Sequence, residues 1–423
     1  MSAEENVQRY LQRIDELDAK IGAFIYVDRE RALSTARSLD RLRIDGTVFG
    51  PLHGSVVAVK DHLSVTGMPT RAGSEMPIQD LVAPEGPFVR SLRAAGCVII
   101  GKTRATEFAL GTYNLERRTP WNPCDLAVHR MPGGSSNGSA AAVGARFCDF
   151  AIGTDTGGSV RQPAALCGLV GYRPSPGQWS IEGVFPLSPL LDTIGPLTRS
   201  VGETVQIFEA LACHRVGEAR IDRLRLGRPA IFYDDLDPDV KRCMEEAIAR
   251  LERAGARIES VELPELDLVD PVFAKMITAD LVATLGRERV REHFETLDSV
   301  IRERVTAGLE IVASDYITMV RRCAVLVAAA RDRMRGFDAW ITPTSPTIPL
   351  PVAECKTIDA AAAWNRRTLR NTRPGNVFGQ CGISLPIASL GSRVPVGLQL
   401  LANGGDDARL LAIARVVEGA LSS

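Results

Sequence analysis

Near the start of the chain, apolar residues recur every three or four positions, at Val7, Tyr10, Leu11, Ile14 and Leu17. This spacing predicts an amphipathic helix over residues 4–20. Further on, residues 88–95 read as a helix, Gly96 as its stop and 97–100 as a buried strand. Val240, Met244, Ile248 and Leu251 repeat that unit, with Gly255 as the stop and 258–263 as the strand. Other strand candidates are 55–59, 150–153, 229–233, 339–342, 383–387 and 396–401, most of them near-continuous apolar runs. Strands covered on both faces have that composition. Alternating helices and strands predict an α/β protein with a single large mixed β-sheet and helices on both faces. We expect one domain over 1–423, with a helix-rich lobe at about 265–335.

Two stretches interrupt the alternation: Gly133-Gly134-Ser135-Ser136-Asn137-Gly138-Ser139 and Gly153-Thr154-Asp155-Thr156-Gly157-Gly158-Ser159. Gly and Ser runs are commonly turns or linkers. Here each run is embedded between an apolar strand and a helical pattern, at 140–147 and 163–166, which disfavours a linker. A P-loop is disfavoured because Gly158 stands where its lysine belongs. A nucleophile elbow is disfavoured because Val160-Arg161 follows Ser159. What remains is a serine, Ser159, ending a glycine-rich loop whose backbone N–H groups suit the oxyanion of an acyl transfer.

Such a serine needs a base. No pattern ties any of the five histidines, His53, His62, His129, His214 and His293, to Ser159. Lys60 is the better candidate, because it ends the apolar run at 55–59. Taken alone it reads first as a strand-end lysine whose stem lies along the sheet, or as a partner of Asp61. To serve as a base it must be neutral, and from a reference pKa of about 10.4 only about one molecule in two thousand is neutral at pH 7. Burial must lower that value.

Composition narrows the class. With 50 Lys and Arg against 51 Asp and Glu, the formal net charge is -1, so nothing recruits nucleic acid or acidic membranes. The longest aliphatic run, 324–330, is too short to cross a bilayer, and the N-terminus lacks the features of a secretory signal. The nine cysteines are scattered without CxxC pairs, as expected of reduced thiols in a cytoplasmic protein. Their spacing with histidine suggests no metal site.

The two loops, with Ser159 falling 24 residues after Ser135, resemble the amidase signature. The likeness extends to Gly50-Pro51-Leu52-His53-Gly54, Val57-Ala58-Val59-Lys60-Asp61, Gly101-Lys102-Thr103 with Glu107-Phe108, Cys167-Gly168, Leu191-Asp192-Thr193-Ile194-Gly195-Pro196 and Pro395-Val396-Gly397-Leu398-Gln399. It covers nearly the whole chain. The resemblance implies the amidase signature fold and a Ser-Ser-Lys triad. Ser159 would form the acyl enzyme, Ser135, on a cis peptide in the family, would relay the proton, and Lys60 would be the base. The N–H groups of Thr156, Gly157, Gly158 and Ser159 would form the oxyanion hole.

The implied activity is hydrolysis of a small carboxamide through acyl-Ser159, releasing ammonia or an amine without metal or cofactor. The alternative is the glutaminase subunit of a tRNA-dependent amidotransferase, of which Arg161-Gln162-Pro163-Ala164-Ala165 is reminiscent. A homodimer is the default assembly for a soluble enzyme. Arg161 is expected in a structural ion pair rather than on substrate, and Asp155 and Asp192 as acceptors that fix loops. Asn137 replaces a glycine usual in the family and is read as narrowing the pocket or occupying a left-handed turn.

Overall fold

The computed structural model describes residues 1–422. Among them, eleven strands form one sheet: β1 (Phe24–Val27), β2 (Val56–Lys60), β3 (Val98–Thr103), β4 (Phe150–Thr154), β5 (Val170–Arg173), β6 (Ile194–Thr198), β7 (Arg225–Pro229), β8 (Arg257–Val261), β9 (Ala339–Pro343), β10 (Cys381–Pro386) and β11 (Gly397–Ala402). Their order is β1-β3-β2-β4-β6-β5-β10-β11-β9-β7-β8. Pairings β2/β3, β2/β4, β7/β8 and β7/β9 are parallel and the rest antiparallel, so the sheet is mixed. The chain runs from β2 to β3 on one side, then returns past β2 to β4 on the other. The carboxyl end of β2 is therefore a topological switch point, the place where open α/β sheets hold ligands.

Side-chain alternation sorts the core onto two faces. Val57 and Val59 point into one cluster, with Phe88, Leu92, Phe208, Met244 and Leu411 from its covering helices. Val56 and Ala58 point to the opposite face, into a cluster with Tyr10, Leu11 and 140–143. By parity Lys60 belongs to that second face. Farther along the same face, Trp340 and Leu401 enter a third cluster formed largely by helices Val269–Leu285, Ser299–Leu309 and Ala313–Arg333. These helices fill much of the stretch expected to be helix-rich.

Most expected elements appear within a few residues of their bounds. Gly96 and Gly255 both adopt positive φ just past their helices, as the stop signals require. The expected strand at 229–233 is corrected: the strand is Arg225–Pro229, and Ala230–Tyr233 is a 3-10 turn. Pro229 has no N–H to continue a ladder, so the apolar residues after it leave the sheet. Strands β1, β5 and β6 escaped the pattern because they are four or five residues long and β5 and β6 include Gly, Arg or Pro.

Asp149 ties the N-terminal helix to the sheet. Its carboxylate accepts from Tyr10 Oη at 2.5 Å, Asn6 Nδ2 at 3.0 Å and the Val56 N–H at 2.7 Å. Asp149→Ala removes three acceptor contacts at a half-buried position, and we expect urea denaturation to report a loss of about 2–3 kcal/mol. Asp15→Ala, which breaks an exposed pair with Arg29, should leave the midpoint unchanged.

Candidate active site

Lys60 is fully buried at the carboxyl end of β2, with neighbouring strand β4 ending alongside at Thr154. Its Nζ donates to Ser135 Oγ at 2.8 Å and to Thr154 Oγ1 at 2.7 Å. Both partners are hydroxyls, so no carboxylate neutralises the ammonium in contact. Burial lowers its pKa to about 7, against the opposing pull of Asp192, Asp155 and Asp61 at longer range. Asp61 is not the direct partner. It accepts from the N–H groups of Arg71 and Gly73 and lies 3.8 Å from Lys102 Nζ.

The geometry separates Ser135 from its neighbour. The Gly134–Ser135 peptide is cis, and Ser135 Oγ faces the lysine. The Ser136 hydroxyl is instead engaged with the backbone of Thr154, its Oγ 3.3 Å from both the Thr154 N–H and carbonyl. Gly133 adopts φ +78°. A Cβ on Gly134 would stand 2.5 Å from the Thr112 carbonyl, so only glycine lets the backbone approach there. The Ser136 N–H donates to the Ser159 carbonyl at 3.3 Å, which joins the two loops. Among the described residues no hydrogen bond links Ser159 Oγ to Ser135.

The second loop is held from within by Asp155. Its carboxylate accepts from the N–H groups of Gly158 (2.8 Å), Val160 (3.2 Å) and Arg161 (3.3 Å). It also receives Arg161 Nε at 3.0 Å, Arg161 Nη2 at 2.9 Å and Asn376 Nδ2 at 2.9 Å. Arg173 lies 3.6 Å away. Despite complete burial, these cations hold the Asp155 carboxyl well below the usual carboxylate range. Arg161 is fully buried, and its guanidinium reaches Gln399 and Asn376 as well. It braces the loop, as an ion pair. Asp192 accepts from Thr156 Oγ1 and from the N–H groups of Leu187 and Ser188, the latter two at 3.0 Å each. Burial raises its pKa to about 6.

Among the expected oxyanion donors, Gly158 differs because its N–H is already given to Asp155. No protein acceptor takes the N–H groups of Thr156, Gly157 or Ser159 among the described residues. The loop is also pinned from outside. Thr372 Oγ1 donates to the Gly157 carbonyl at 2.8 Å and would clash with any Cβ on Gly158, which has φ +116°. Asn137 opens the helix Asn137–Gly144, and its Oδ1 accepts from Gly138 N–H at 2.7 Å. It is not in a left-handed turn. Thr154, Thr372 and Asn376 had no local signal; Thr372 and Asn376 reach the loop from more than 200 residues away.

None of the five histidines bonds to Ser159. His53 lies by the Leu39 carbonyl, and His129 stacks on Trp121 at 4.5 Å. Among the described residues no group of three or more His, Cys, Asp or Glu is arranged to hold a metal ion.

A buried lysine bonded to a serine, with a second serine on a glycine loop and free N–H groups beside it, is an arrangement suited to acyl transfer. The chain matches the Amidase family profile over residues 5–411. It is 36% identical, over 95% of its length and 89% of the relative's, to a 2-amino-5-chloromuconic acid deaminase of Comamonas testosteroni. It is 32% identical, over 99% of its length and 94% of the relative's, to the A-type subunit of the glutamyl-tRNA(Gln) amidotransferase of Geobacter metallireducens. A crystal structure described as an amidase superposes with a TM-score of 0.90 at 32% identity, covering 99% of this chain and 96% of the other. The chain belongs to the amidase signature family, hydrolases of amide C–N bonds.

The Asp155 network makes a direct prediction. Asp155→Asn keeps one acceptor oxygen for the loop, puts a donating NH2 where the other stood, and strips the charge that Arg161 and Arg173 are buried against. We expect it to cost about 3 kcal/mol or more in urea denaturation. An unchanged midpoint would show that the arginines are balanced elsewhere.

Proposed function

We propose that Lys60, Ser135 and Ser159 act as base, relay and nucleophile on a small carboxamide. The carrying observation is the 2.8 Å hydrogen bond between Lys60 Nζ and Ser135 Oγ, two groups with no solvent exposure. Neutral Lys60 accepts the Ser135 proton as Ser135 takes that of Ser159, and Ser159 Oγ bonds to the amide carbon. The N–H groups of Thr156, Gly157 and Ser159 receive the oxyanion. Collapse breaks the C–N bond, and the proton returns through Ser135 to the departing nitrogen. Water then repeats the sequence on the acyl enzyme, so amide plus water become carboxylic acid plus ammonia or amine. The chemistry calls on no metal or cofactor.

We read 1–423 as one catalytic domain, because the sheet draws strands from Phe24 to Ala402. We also read it as a cytoplasmic homodimer without nucleic acid. The net charge of -1 supports the absence of nucleic acid. The scattered cysteines without CxxC pairs support the location, and the common two-fold pairing of enzymes supports the dimer. No described helix is long and apolar enough to cross a membrane.

A second reading, the glutaminase subunit of an amidotransferase, is favoured by the 32% identity to the Geobacter protein across 99% of this chain. Ammonia release from glutamine by the purified chain, with and without candidate partner subunits, separates the two.

Treatment with a fluorophosphonate followed by intact-mass spectrometry should add one adduct to the wild type and none to Ser159→Ala. An equal adduct on both would remove Ser159 as nucleophile. The rate of adduct formation also tests Lys60. Its lowered pKa means that it is protonated below about 7, so the rate should fall by roughly tenfold per pH unit on the acid side. Lys60→Ala should abolish labelling at neutral pH.

A further inference from the structure

A cleft of about 400 Å³ opens between helices Val269–Leu285, Ser299–Leu309, Ile358–Thr368 and Arg373–Val377. Neither Lys60 nor Ser159 lines it, yet it lies one residue layer from both serine loops. On one side the Phe273 ring packs so closely on the bare backbone of Gly157 that a Cβ there would stand 2.4 Å from the ring. On the other, Arg304 Nη1 lies 3.5 Å from where a Cβ of Gly111 would stand, and the next residue, Thr112, packs its carbonyl on Gly134.

The walls are apolar, with Phe273, Ile277, Val300, Ala307 and Ile311, but the charge they carry is unbalanced. Lys275, Arg304, Arg366 and Arg373 face the cleft, with Asp270 and Glu303 as the acids. Asp270 is committed to Arg373 at 3.1 Å, and Lys275 pairs with Asp315 at 3.6 Å, outside the cleft. Among the described residues the guanidinium groups of Arg304 and Arg366 make neither a hydrogen bond nor an ion pair. Arg366 is exposed, and such a group is satisfied by water. Arg304 is half-buried beside the almost completely buried Arg373. Burial and that neighbour hold the Arg304 pKa down, at about 10, against the pull of Glu303. It remains charged at neutral pH. An arginine held charged beside another arginine, without an acid in contact, is an arrangement that a bound anion stabilises.

We propose that this cleft receives a carboxylate of the substrate, so that the enzyme selects amides carrying a second, anionic end. Arg304 is the group that meets the carboxylate, Arg373 and Arg366 supply the positive field, and the apolar walls hold the intervening carbons. The planar fork of arginine matches a carboxylate in two parallel hydrogen bonds. Selection then follows because a neutral amide offers Arg304 no charged partner in a cleft whose acids are committed elsewhere or out of contact. This assignment rests on the reading of Ser159 as nucleophile.

The test is calorimetric titration of the Ser159→Ala protein with succinamate, glutaramate and adipamate against butyramide, repeated with Arg304→Gln added. At least one of the three anionic amides should bind about tenfold or more tighter than butyramide. Arg304→Gln should erase that preference while leaving the melting temperature unchanged. In the otherwise wild-type enzyme, Arg304→Gln should raise KM for the preferred anionic amide by a larger factor than it changes kcat/KM for butyramide. Butyramide binding as tightly as every anionic amide, an Arg304→Gln protein with unaltered preference, or inorganic phosphate competing as well as succinate would each overturn the carboxylate assignment. Failure of the amidase reading shows separately, as the absence of a Ser159-dependent fluorophosphonate adduct.

Discussion

The site depends on keeping a lysine amine out of water without giving it a carboxylate. Lys60 is sealed between the sheet and the helix Asn137–Gly144, and its two contacts are hydroxyls. Holding the amine near 7 instead of the ordinary 10.5 means that burial disfavours its charged form by about 5 kcal/mol. A direct salt bridge would cancel that effect, and nearby acids are prevented from forming one. Asp61 is turned to Lys102 and two backbone N–H groups, Asp155 to two arginines, and Asp192 to Thr156 and two further N–H groups.

The nucleophile loop follows the opposite rule. There a buried carboxylate is saturated with donors, and the cost of burying Asp155, Arg161 and Arg173 is offset by their mutual contacts. The result is a loop whose shape is over-determined: Asp155 takes the Gly158 N–H from within, while Thr372 takes the Gly157 carbonyl from outside. Three N–H groups remain open beside Ser159. A donor set fixed before substrate arrives needs no reorganisation when charge develops. The arginines of the neighbouring cleft extend the pattern, with cations placed one layer beyond the groups that handle the amide.

Much of this was legible in the chain itself. The apolar run before Lys60 marks a strand buried on both faces, but a lysine ending such a strand reads first as one whose stem lies along the sheet, and its complete burial shows only in the fold. The glycines around Ser135 and Ser159 mark close backbone approach, and Arg161 and Asp155 are near enough in sequence to be paired. What escaped is what depends on distant contacts. Thr372 and Asn376 sit in a short helical region whose sequence carries no motif, and they meet the loop only because the sheet brings β10 beside β5. The family resemblance implied that the Gly158 N–H faces the oxyanion, but a shared loop does not say which way each peptide turns, and this one turns to Asp155. The strand placed at 229–233 failed for a local reason, the missing N–H of Pro229.

The most direct measurement is the pKa of the Lys60 amine, followed by NMR through its Cε and Nζ resonances in selectively labelled protein across pH 5 to 11. The buried, carboxylate-free contact set places the midpoint at about 7. A midpoint near the ordinary value of about 10.4 would mean that Lys60 stays charged at neutral pH and would contradict its role as the base.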